Sequence, residues 1–148
     1  MERALALIGP FAAMETSMTA TLDLSRPHKP AIAVWILQGL LALAFAAAAG
    51  AKFAGVPMMV MVFDQIGFGQ WFRYVTATVE IIGVLAVLTP GFAGPGALWL
   101  GITMAFAVLT HLFILHSNPA GAVVLFVLSL TLVWLRRDQI AGLRARFG

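Results

Sequence analysis

The chain has 148 residues, 61% of them hydrophobic and only 10% charged, with a mean hydropathy of +0.98 and a net charge of +3. Soluble domains carry about 25% charged residues, so this chain cannot cover a water-facing surface, which excludes the soluble enzyme classes. The positive charge does not suggest nucleic acid, because the basic residues sit at the ends of apolar runs, where they orient helices in a membrane. With no cysteine, thiol relays, disulfides, iron–sulfur clusters and cysteine-ligated metals are excluded within the chain.

The first 25 residues, MERALALIGPFAAMETSMTATLDLS, hold one brief apolar stretch, Ala4 to Ala13, interrupted by Gly9 and Pro10. They lack the positive start and small-residue cleavage site of a signal peptide. They read as an N-terminal extension, partly disordered or ordered against a partner, ahead of a membrane domain at residues 26–148.

Four apolar runs follow, at Ala31–Ala51, Trp71–Thr89, Gly96–Leu115 and Ala120–Leu135. Each approaches the roughly 20 residues that cross about 30 Å of hydrocarbon as a helix, and none alternates as a barrel strand does. HKP, TPGFAGPG and HSNPAG separate them with the proline and glycine clusters that end helices; the GPG of residues 94–96 reads as a turn. Between the first two runs, GVPMMVMVFDQIGFGQ is too short to cross and too apolar for a free loop. Pro57 suits the first turn of a short helix, lying in the outer interface with Asp64 and Gln65 toward headgroups or packed as a plug over the bundle. The expected fold is all-α, an integral membrane four-helix bundle with a short interfacial helix between spans 1 and 2. Arg26 and Lys29 precede the first span, and Arg136, Arg137, Arg144 and Arg146 follow the last. That placement predicts a multi-pass protein of the inner membrane with both termini cytoplasmic.

The second run, WFRYVTATVEIIGVLAVL, carries Glu80 in its middle, where an acid costs roughly 2.5–3.5 kcal/mol on insertion scales. Nine residues separate it from Trp71, a depth of roughly 13 Å. The alternating direction of the spans puts Lys52, Arg73, Glu80 and His111 in one half of the bundle. Arg73, Thr76 and Glu80 share a helical face, continued by Gly83, where a neighbouring helix can approach closely. Thr103, Ala107, Thr110 and His111 make a second stripe, and Gln38, Ala42, Phe45 and Ala49 a third running toward Lys52. Two main readings stay open, beside use of the site by a partner protein. In the first, Lys52 or Arg73 neutralises Glu80 and only holds the bundle in register. In the second, Glu80 and His111 are proton-exchanging groups of an outer-leaflet pocket in which Lys52, Arg73 and Gln38 bind the ligand. Only His111 is deep enough to ligate haem, so a bis-histidine haem is not expected, and no metal-ligand spacing appears.

The stretch LALAFAAAAGAKFAG, then VPMMVMVFDQIG, then VEIIG resembles the DoxX-like family of small four-span membrane proteins, over about Ala31 to Arg137. Lys52, Glu80 and Gly83 match residue by residue. The resemblance implies a four-helix bundle and kinship with a membrane subunit of thiosulfate:quinone oxidoreductase and with membrane components of redox-protection complexes. It makes quinone the expected cofactor, and membrane lipids and a membrane-protein partner or second copy the expected partners. The function expected is a quinone-associated oxidoreductase or its membrane subunit. The alternatives are a non-catalytic accessory subunit of a larger membrane complex and a small-lipid binder or carrier.

Overall fold

A computed structural model describes residues 32–147; the expected N-terminal extension lies outside them. Six helices make up the described chain: α1 (Ile32–Ala54), α2 (Pro57–Ile66), α3 (Trp71–Leu88), α4 (Ala93–Phe113), α5 (Ala120–Leu135) and α6 (Arg137–Phe147). No strand occurs among the described residues. Among the described residues, α1, α3 and α4 are long and apolar enough to cross a membrane, and α5 is a shorter apolar helix of 16 residues.

The helix ends follow from local chemistry. Helix α1 runs through Lys52 and stops at Gly55, whose φ of +67° suits glycine. There Gly55 N–H donates to the Lys52 carbonyl and Val56 N–H to the Ala51 carbonyl, both at 3.2 Å, so two carbonyls otherwise orphaned at the helix end are satisfied. Pro57 then opens α2. The GPG of residues 94–96 is not a turn; it lies in the first turn of α4. Pro95 loses nothing there, because the first N–H groups of a helix have no intrahelical acceptor. The turn is made earlier, at Gly91, with φ of +83°.

Helices α1, α3, α4 and α5 pack in a ring: α1 against α3, α3 against α4, α4 against α5, and α5 back against α1. Short connections make sequential neighbours antiparallel, and α2 returns the chain from the end of α1 to the start of α3. Phe45, Leu41, Leu100, Leu132 and Val87 fill the centre. Small residues bring the backbones together. A β-carbon at Gly96 would lie 2.6 Å from Val87 N, and one at Gly83 would overlap the Leu100 side chain. In lipid such contacts act through dispersion, since apolar burial gains little between apolar surroundings.

The surface is inside-out relative to a soluble protein. Leu43 is 67% exposed and Phe106 66%, while Gln38, Arg73, Glu80, Ser129 and Arg136 are buried. Apolar exposure on this scale exceeds what a soluble monomer carries, and the apolar helices point to a membrane location.

Candidate functional site

Lys52 sits in the last turn of α1 and Glu80 in the middle of α3. Helical side chains lean toward their own N-termini, so in two antiparallel helices these two lean toward one another. Lys52 Nζ donates to both Glu80 oxygens at 2.8 Å. The pair is largely buried, with the side chains 13% and 4% exposed. It is the one ion pair among the described residues. Lys52 also places its charge at the negative end of its own helix dipole.

The pair borders a half-open cavity of about 730 Å³, within the range of ligand sites. Phe45, Ala48 and Lys52 line it from α1, and Thr76, Val79 and Glu80 from α3. From α4 come Thr103, Ala107, Thr110 and His111, and α2 adds Met58, Met59, Val62 and Phe63. Its depth is set where α3 and α4 touch. The Trp99 indole N–H donates to the Val79 carbonyl at 3.0 Å, and the bare Gly83 backbone lies against Leu100. Lining residues on α3 all precede Gly83, so the space lies on the Lys52 side of that contact. Val75, Trp99, Ile102 and Phe106 both line the cavity and are exposed on the flank of the bundle. The mouth therefore opens sideways between α3 and α4.

Few polar groups on these walls are uncommitted. The hydroxyls of Thr76, Thr103 and Thr110 donate to Arg73, Trp99 and Phe106 carbonyls of their own helices, which leaves them as acceptors. An ammonium has three N–H donors, and Glu80 takes two of those on Lys52. His111 Nδ1 lies 2.8 Å from Ser117 Oγ. When Ser117 donates to Nδ1, Nε2 carries the proton and is a second available donor.

Of the five residues expected at the site, Lys52, Glu80 and His111 border one cavity. Arg73 and Gln38 do not. Arg73 is buried at the end of α1, its guanidinium beside Gly55. Its Nε donates to Gln70 Oε1 at 2.8 Å, and Nη2 to Tyr74 Oη at 3.0 Å. Gln70 in turn donates to Asp64 Oδ1 and to the Val60 carbonyl, which ties α2 to the start of α3. Gln38 lies at the opposite end of the bundle. Its Nε2 donates to the Val87 carbonyl at 2.6 Å, and its Oε1 accepts from Arg136 Nη2 at 3.2 Å. The Val87 carbonyl falls in the last turn of α3, without an intrahelical acceptor role to fill, so Gln38 acts as a cap. Sequence reading missed Trp99 as part of the site. Its signal was an indole N–H in an apolar helix, which must find an acceptor when desolvated.

The model of the DoxX-like family matches residues 36–135, from the first turns of α1 to the last residue of α5. The chain belongs to the DoxX-like family. The matched region of this DoxX-like chain contains Lys52, Glu80, His111 and every other residue lining the cavity. No curated protein and no solved structure matches it.

Proposed function

We propose that this DoxX-like chain is a four-span protein of the inner membrane with both termini cytoplasmic. Its cavity holds a quinone headgroup, and it serves as a quinone-linked oxidoreductase or as the membrane subunit of one. The observation that carries this reading is the sideways-open cavity bordered by Lys52, Glu80 and His111. An oxidised quinone ring presents two carbonyl acceptors, and these walls offer two uncommitted donors among otherwise apolar residues. The third N–H of Lys52 and the Nε2–H of His111 would be the groups to hold quinone oxygens, and Met58, Val62 and Trp99 would line the space for the ring. A bound quinone supplies two-electron, two-proton redox chemistry. Glu80 keeps the Lys52 ammonium fixed in place, and His111, nearer the loop, exchanges protons with the aqueous phase. Four spans follow if α5, about 24 Å long, crosses with Arg136 at one boundary and the Asn118–Pro119 turn at the other.

The test is direct. A short-tailed quinone titrated into the full chain in nanodiscs should quench tryptophan fluorescence saturably, and Trp99→Phe should remove most of that quench. His111→Ala should weaken binding about three- to tenfold, the worth of one hydrogen bond, without lowering the thermal midpoint. Saturation by phospholipid with no quench by quinone would identify a lipid carrier instead. Stoichiometric co-purification of a large membrane complex, with no quinone bound, would identify an accessory subunit.

A further inference from the structure

The end of the bundle remote from the cavity carries two tryptophan–arginine pairs. Trp35, 52% exposed near the start of α1, has the Arg136 guanidinium 5.2 Å from its ring centroid. Trp134, 64% exposed in the last turn of α5, has the Arg137 guanidinium 5.2 Å from its own. Tryptophans exposed on apolar helices belong at the level of the lipid headgroups, so the two pairs mark one membrane boundary and place two cations there.

Helix α6 begins at that boundary. It runs against the start of α4, where Gln139 Oε1 accepts the Gly94 N–H at 2.9 Å and Ile140 faces Gly94. From Arg136 to Phe147 the sequence holds Arg136, Arg137, Arg144 and Arg146 against a single acid, Asp138. No carboxylate pairs with Arg136 or Arg137 among the described residues. Arg136 is moreover buried, and its Nε has no hydrogen-bond partner among the described residues. A net positive elbow at headgroup level, with no carboxylate paired to it among the described residues, is complementary to anionic lipid.

We infer that the Arg136–Arg137 elbow and α6 form a docking surface for anionic phospholipid headgroups. Arg137, exposed above Trp134, makes the phosphate contact, and buried Arg136 adds its field from behind. The surface shares no residue with the cavity, so it stands or falls independently of quinone binding.

The full chain, purified in detergent, would be titrated with phosphatidylglycerol and, separately, with phosphatidylcholine, following the thermal midpoint. Phosphatidylglycerol should raise the midpoint saturably, phosphatidylcholine should not, and added salt should erode the difference. Arg137→Gln should weaken the apparent phosphatidylglycerol affinity about fivefold, and Arg137→Gln with Arg144→Gln about twentyfold. The midpoint in phosphatidylcholine should be unchanged in both variants, which shows that they fold. Equal shifts from the two lipids, or a phosphatidylglycerol shift indifferent to both variants, would overturn the inference. So would a full shift from inorganic phosphate, which would make this a free-anion site, or a dependence on a co-purifying acidic protein.

Discussion

At one end of the α1–α3 pair Lys52 and Glu80 meet beside open space; at the other, Gln38 and Arg136 meet inside solid packing. Both ends join the same two helices through buried polar side chains. At the Lys52 end the charges cancel within the pair, and the walls around them are methionine, valine and threonine separated by a cavity. At the Gln38 end a neutral amide caps a helix carbonyl and receives an arginine, while Gly94 and Gly96 leave no room between α4 and its neighbours. Buried polarity alone does not mark a ligand site. The distinguishing feature is uncommitted hydrogen-bonding capacity facing empty volume, and only the Lys52 end has both.

Substitutions can break this comparison from either side. The largest effect is expected at the ion pair. Lys52→Met leaves a short carboxylate at depth with no partner, and should cost about 3–5 kcal/mol of stability. Glu80→Met costs less, because the lysine stem can carry its ammonium to the interface. The double variant recovers most of the loss, and a double-mutant cycle on unfolding in mixed micelles measures the coupling. Single variants as stable as the unsubstituted chain would show that the pair contributes nothing to the fold.

Next comes Gly83→Leu, which forces α3 away from Leu100 and Trp99. Overpacking of this kind costs about 1–3 kcal/mol, and the cavity floor should open with it. A lower thermal midpoint together with weakened quinone quenching is the expected pair of readings. An unchanged midpoint would place the α3–α4 contact elsewhere.

The smallest effect on quinone affinity sharpens the contrast. Gln38→Leu orphans the Val87 carbonyl and the Arg136 donor, at about 1–3 kcal/mol, yet should leave quinone affinity untouched. A matching loss of affinity would join the two ends into one site.

Much of this architecture was legible in the amino-acid order. Proline and glycine clusters bounded the apolar runs to within a few residues of α1, α3, α4 and α5. Helix α6 was not foreseen, because it is polar and carries no apolar period to announce it. Depth and direction put Lys52 and Arg73 forward as alternative partners of Glu80, and the structure pairs it with Lys52. Arg73 shows where such reasoning stops. Spacing put it on the face of Glu80, but a helical face is wide, and Gln70, Tyr74 and the end of α1 were nearer than the carboxylate. Gln38 misled for another reason. It shares a stripe with Lys52, yet fourteen residues of helix separate them, and its true neighbour Arg136 is distant in sequence and visible only once α5 closes the ring.

The glycines at the start of α4 also bear on where the bundle could open. With Gly96 pressed to the α3 backbone and Gly94 to the Arg136 carbonyl, a splaying of α3 from α4 would pivot toward that end, working against the Trp99–Val79 hydrogen bond. Thr76 lies eleven positions before Val87 in α3, an arm of roughly 16 Å, so a tilt of about 5° would widen the far rim by roughly 1.4 Å. A rotation of that size would widen the sideways mouth between α3 and α4 with no helix unwinding and no disturbance of the arginine elbow behind the pivot.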